Sequence, residues 1–342
     1  MGIVLAIFIF GFIVFFHELG HFLLARKNGI DVDEFWIGMG PTLLHKKIGN
    51  TDYCLKLFPI GGACMMGEDE VDDCSEGSFN SKSPWKRISV IAAGPVFNFI
   101  LAFLCAMVFI GIMGVDKPII GAVGENTPAA EAGIESGDRI VDINGKSIHI
   151  FREITLYNQF HQGETMEVTY EREGQRKTVE VTPEAGEDGY YLMGVTSVGY
   201  EKANPLEMVG YSVVELKYWI DMTIKSLGQL ITGKIGVNQL SGPVGVVDAV
   251  DTTYKVSKSG GSLLVFLNML RMAILLSANL GVMNLLPIPA LDGGRLVFLV
   301  LELIRGRRVP PEKEGYVHFA GMVLLLGLMA FVMFNDIRRI FF

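Results

Sequence analysis

Charge is missing from long stretches of this chain. Residues 88–115 and 272–291 of the 342 contain no Asp, Glu, Lys or Arg, in a sequence that is 50% hydrophobic. A water-soluble chain spreads its apolar residues at helical or strand periods rather than in such blocks. Each block is long enough, at ~1.5 Å per residue, to cross a bilayer core about 30 Å thick as a helix. An excess of basic residues is also missing. Lys and Arg number 29 against 37 Asp and Glu, a net charge of -8, so no nucleic acid partner is expected. Cysteine is scarce: Cys54, Cys64, Cys74 and Cys105, with none between residues 116 and 261. That polar segment needs no disulfides and suits an extracytoplasmic location. The ten-residue spacing of the first three cysteines matches no usual zinc pattern such as C-x2-C, so reduced cytosolic thiols are expected.

Two further apolar stretches, residues 2–25 and 317–334, also reach spanning length, although the first carries His17, Glu18 and His21 and the second His318. The first lacks a basic start and a small-residue exit, so it reads as a retained span rather than a removed signal. The expected fold class is therefore an α-helical integral membrane protein with four transmembrane helices. Residues 1–115 form an N-terminal membrane core with two spans, and residues 261–342 a C-terminal core with the other two. Residues 45–58 alternate polar and apolar around Gly49-Asn50, which signals a β-hairpin; residues 59–63 then leave the strand pattern, and 67–83 read as a loose loop. Residues 116–184 read as a small β-rich domain, with short Val/Ile runs separated by turn chemistry at Asn144-Gly145 and Glu173-Gly174. Residues 185–260 follow it and include an amphipathic stretch, 205–230. That stretch is too charged to span and suits either an interface or packing on a soluble domain. Arg305, Arg307, Arg308 and Lys313 crowd the short loop between the last two spans, which places that loop in the cytoplasm and residues 116–261 outside.

His17-Glu18-Leu19-Gly20-His21 is an H-E-x-x-H motif. On a helix, residues four apart share a face, so both imidazoles can reach one metal, with Glu18 in the general-base position. Ionisable groups inside an apolar span are costly, which favours a functional reading over helix packing. A catalytic zinc takes three protein ligands plus water, so one ligand is still owed. Arg271 is a cation, His318 sits near a span edge, and Asp292 ends the third apolar block as either ligand or helix cap.

HELGH in the first span and Asn284-Leu285-Leu286-Pro287-Ile288-Pro289-Ala290-Leu291-Asp292-Gly293-Gly294 in the third resemble the site-2 protease family of intramembrane zinc metalloproteases. The likeness is greatest to its bacterial regulator-of-sigma-E protease branch. The resemblance implies that His17, His21 and Asp292 bind Zn2+, that Glu18 is the catalytic acid/base, and that Asn284 holds the substrate backbone. Ala93-Gly94-Pro95-Val96-Phe97-Asn98 resembles the family's second-span element, which gives Asn98 a site-lining or structural role. The hairpin resembles its membrane-associated β element. Residues 127–145 resemble a PDZ domain pattern, which implies that 116–184 is an extracytoplasmic PDZ domain of α+β class. Ser241 to Val246 resembles an element that follows it. The function implied is hydrolysis within transmembrane segments of single-span membrane proteins, such as anti-sigma factors or signal-peptide remnants, in the bacterial cell membrane. The alternative is a catalytically inactive membrane PDZ scaffold.

Overall fold

The computed structural model describes residues 1–67, 75–186, 189–236 and 240–341. Its helices, in chain order, are α1 (Gly2–Lys27), α2 (Pro84–Met113), α3 (Pro128–Glu131), α4 (Phe151–Phe160), α5 (Pro205–Ile231), α6 (Pro243–Lys258), α7 (Ser262–Leu285), α8 (Asp292–Arg305) and α9 (Pro311–Phe341). The chain divides into two compact units, residues 1–105 with 226–342, and residues 106–225. Four helices are long and apolar enough to cross a membrane: α1, α2, α7 and, over Glu312–Ile340, α9.

The third span differs from its sequence expectation at both ends. It starts at Ser262 and so includes Arg271, and it stops at Leu285 rather than at 291. The stop has a local cause. Leu286 precedes Pro287 and is driven into extended backbone (φ -64°, ψ 142°), a conformation that a following proline imposes.

In the membrane unit, Ala6, Ile9 and Ile13 of α1 pack with Leu101, Val250 and Met269 from α2, α6 and α7. Gly20 lets α1 approach α2 closely, since a Cβ there would collide with the carbonyl of Ala93. Helix α6, which the sequence reading grouped with the segment after the small domain, instead packs along α1. Its first turn is held by the last span. The buried carboxylate of Asp336 accepts a hydrogen bond from Gly245 N–H at 2.8 Å, as an anion at a helix N-terminus should.

The hairpin is longer than expected: β1 (Glu34–Ile48) and β2 (Thr51–Met65). Residues 59–63 stay in the strand. Both strands fold back on themselves, because residues 34–37 pair with 52–55 on one side and with 62–65 on the other. Gly38, Gly40 and Gly61 sit at positive φ (84–89°) where the strands bend, so these glycines turn the sheet rather than end it. Phe35 and Tyr53 anchor it on Phe22 of α1. Leu43, Leu44, Leu57 and Phe58 remain exposed. Cys54, Cys64 and Cys105 form no disulfide among the described residues; Cys74 and most of the expected acidic loop lie outside them.

The second unit holds a small domain whose main sheet comprises β5 (Arg139–Ile143), β6 (Lys146–Ser147), β7 (Met166–Arg172) and β8 (Gln175–Val181) in the order β6-β5-β7-β8. The shorter strands are β3 (Val115–Asp116), β4 (Ile120–Val123), β9 (Glu184–Ala185), β10 (Tyr191–Leu192), β11 (Val195–Ser197) and β12 (Tyr200–Glu201). Because β11 pairs with β4 and β12 with β3, the domain runs to Glu201 rather than ending at 184. Its core is apolar: Ile120, Ile134, Ile140, Ile143, Met166 and Val168 are almost wholly buried. Helix α5 turns its polar side to this domain. Glu215 pairs with Arg152, Asp221 with Lys146 at 3.2 Å, and Lys225 lies over the rings of Tyr157 and Phe160. Its Leu206, Val209, Val213 and Ile224 are left exposed.

Candidate active site

Helix α1 places His17 and His21 one turn apart, both buried, and the first residue of α8 places Asp292 against them. His17 Nε2 lies 3.2 Å and His21 Nε2 3.4 Å from Asp292 Oδ2, and the two Nε2 atoms are 3.3 Å apart. The rings are oriented from behind. His21 Nδ1–H donates to the Val90 carbonyl at 2.9 Å, which leaves Nε2 with a bare lone pair. The amide of the fully buried Asn98 lies 3.1 Å from His17 Nδ1. Its Nδ2 faces the ring as placed; in the flipped amide rotamer Asn98 accepts the Nδ1–H and leaves the second Nε2 lone pair free. Asp292 Oδ2 is buried and has no hydrogen-bond partner among the described residues.

Three potential ligand atoms therefore converge, one from each side chain, as a shared cation requires. Their separations can be set against those of zinc. Tetrahedral zinc with bonds of about 2.0–2.1 Å holds any two ligand atoms about 3.3 Å apart, and the three distances here are 3.2, 3.3 and 3.4 Å. The residues fit zinc.

Small residues make the convergence possible. A Cβ at Gly94 would run into the rings of His17 and His21, so α2 forms the floor of the site only because that residue is glycine. Asn98 follows four residues later on the same face. Gly293 and Gly294 let the start of α8 tuck under the carbonyls of Leu286 and Ile288. Glu18 lies beside β2, its Cγ about 3.0 Å from where a Gly62 Cβ would stand. Asn284 occupies the last turn of α7, half-buried, and among the described residues no hydrogen bond joins it to the triad.

His318, one of the residues weighed for the missing ligand, does something else. Its Nδ1 accepts the backbone N–H of Ala290 at 2.9 Å, two residues before Asp292. Ala290 has φ 73°, a conformation disfavoured for a residue with a Cβ, so this bond helps hold a strained turn. Gly321, one turn further along α9, admits Pro289 of the same loop. Val90 O, Gly94 and the His318 latch were invisible in the sequence because each acts through a backbone atom or through the lack of a side chain.

A His-His-Asp set with a neighbouring glutamate, its histidines on a helix long and apolar enough to cross a membrane and its aspartate at the start of α8, defines the class: a membrane-embedded metallopeptidase. Residues 5–328 match the model of peptidase family M50, and the chain belongs to that family, the site-2 proteases. It is similar to the zinc metalloprotease RasP of Bacillus licheniformis, 35% identical with 98% of each chain covered. It is also similar to the regulator of sigma-W protease RasP of Bacillus subtilis strain 168, 33% identical with 98% of each covered. A crystal structure of the PDZ domain of an SdrC-like protein from Listeria monocytogenes aligns with 24% of this chain and 88% of that one, at 22% identity and a TM-score of 0.23. The protein is a zinc metalloprotease that cleaves within the membrane.

Proposed function

We propose that His17, His21 and Asp292 hold the zinc and that Glu18 moves the proton during hydrolysis of peptide bonds in the transmembrane segments of single-span proteins. Anti-sigma factors and signal-peptide remnants are the substrate classes in view, in regulated intramembrane proteolysis. The observation that carries this reading is the convergence of three potential ligand atoms at the separations of a tetrahedral site. When bound, zinc supplies Lewis acidity to the scissile carbonyl and makes water easier to deprotonate. Glu18 takes the proton of the attacking water and returns it to the leaving amine. Asn98 and Val90 O fix the two imidazoles so that their Nε2 atoms face the ligand position. Asn284 is assigned to the substrate backbone.

A transmembrane helix must unwind before it can be cut, since its carbonyls are locked in internal hydrogen bonds. Residues 62–65 pair on one side only among the described residues, and Gly62 lies against Glu18. An extended substrate added to that edge recovers its backbone hydrogen bonds beside the zinc ligands. Ala63→Pro, at the residue of this edge that pairs with Trp36, is the probe, and unimpaired cleavage in that variant would count against strand addition. We assign the small domain as an extracytoplasmic PDZ module that admits substrates already trimmed outside, with the active site opening toward the cytoplasm.

The test is cleavage of a tagged single-span substrate by the purified protein, with zinc quantified, for wild type and Glu18→Gln. Zinc retained in both and cleavage lost only in Glu18→Gln is expected. Equal cleavage by both removes Glu18 from the chemistry, and a wild type that binds no zinc favours the inactive scaffold.

A further inference from the structure

A chamber of about 530 Å³ lies at one end of the membrane unit, beside the catalytic loop but not opening onto the triad. It is bounded by the first turns of α2 and α9 and by one face of α8. Because both spans begin there, the chamber sits at the depth where the apolar segment meets headgroups. Its polar lining consists of Arg87, Arg295 and Arg308 with Glu302 and Glu314, alongside His318. With histidine neutral, these groups leave one uncompensated positive charge.

The key group is Arg87. It is only 3% exposed, and its Nη2 donates to Glu302 at 2.5 Å and its Nε to the Lys82 carbonyl at 3.1 Å. Its Nη1 is buried with no hydrogen-bond partner among the described residues. A buried guanidinium N–H without an acceptor is costly, and water alone would leave the net charge unanswered. A singly charged oxyanion answers both needs. The other walls are apolar: Phe298, Phe319 and Met322. Phe319 and Met322 are also substantially exposed on α9, and Val323 and Leu326 carry the same apolar surface on along the span. A ligand here is therefore charged at one end and greasy at the other.

We propose that this chamber binds the phosphodiester headgroup of an anionic phospholipid, with its acyl chains lying along α9. Basic pockets between membrane helices suit such headgroups, and arginine presents paired donors that match phosphate oxygens. The bound lipid wedges α9 against α2 and α8. It thereby supports the helix that carries the His318 latch, yet it takes no part in the chemistry.

The test uses the full-length protein purified in mild detergent and reconstituted into nanodiscs of phosphatidylcholine with a minor fraction of phosphatidylglycerol, with retained lipid read by native mass spectrometry. Wild type should keep phosphatidylglycerol selectively. The Arg295→Gln/Arg308→Gln double variant should lose that preference by about tenfold or more, the scale of hydrogen bonds to charged groups. The Arg295→Lys/Arg308→Lys variant, which preserves charge, reports on folding and should retain part of the preference; Arg26→Gln should retain all of it. Equal retention of both lipids by wild type, or full selectivity in the Gln double variant, overturns the proposal. So does displacement of the lipid by inorganic phosphate at modest excess, which would assign the chamber to a free anion.

Discussion

The two units of this protein bury polar groups in opposite ways. In the small domain, Asp138 is almost inaccessible but fully answered. Arg172 donates to both its oxygens at 2.7 and 2.8 Å, and the N–H of Glu135 adds a third bond at 2.8 Å. Burial works against ionisation of this carboxyl, yet these partners win and hold it below the usual carboxylate range. In the membrane unit, Asp292 is largely enclosed against two imidazoles, and its Oδ2 has no hydrogen-bond partner among the described residues. The first arrangement is complete without help. The second gathers three potential ligand atoms, which a cation would complete. A buried polar group becomes a functional clue when its neighbours are all able to ligate the same ion.

That contrast can be broken experimentally, and the largest effect should come from the floor of the site. Gly94→Ala places a methyl among the two imidazoles, so zinc content and cleavage should fall together, with activity down by at least about a hundredfold. Normal zinc content in that variant would mean that the rings have room the geometry denies. Next is Asn98→Leu, which removes the group orienting His17. Zinc affinity should weaken about 10–100-fold, the range for such supporting contacts, as read by competition with a chelator. A smaller loss, roughly tenfold in activity, is expected from His318→Phe, because the Ala290 turn loses its acceptor. His318→Asn keeps an acceptor and should recover part of it. Equal activity in the two variants would reduce the latch to packing.

The smallest effect on the site should come from the small domain. Asp138→Asn should leave zinc content and the initial rate on a pre-trimmed substrate unchanged, while hydrogen exchange in β5 and β7 accelerates. The pH dependence follows from the depressed carboxyl. Its stabilisation is fully present above the usual carboxylate range and is lost as pH falls through the lower folded-state value. Wild-type exchange in these strands should therefore approach that of Asp138→Asn only in strong acid. Loss of zinc in this variant would dissolve the distinction between the units.

Much of the site was legible because its chemistry is written in residue types that membrane spans otherwise avoid. His17, Glu18 and His21 stand out against an apolar background, and the prolines before Asp292 announce a broken helix. The rest depended on backbone. Gly61 lies in the stretch that reads as leaving the strand, yet at positive φ it joins Gly38 and Gly40 in bending continuous strands into a folded sheet. Arg271 hid the first ten residues of α7, because a search for uncharged runs rejects a span with one cation. The docking of α6 on α1 left no periodic signal, since it relies on Gly245 and on Asp336 ninety-one residues away. The polar stripe of α5 was visible, but whether it faced water or protein was settled only by its partners on the small domain.

His17 and His21 belong to α1 and Asp292 to α8, so neither helix carries all three groups. A cation held among them would join two helices far apart in sequence, a staple as well as a reagent. Stripping the metal should then loosen α8 against α1 before it loosens either helix itself.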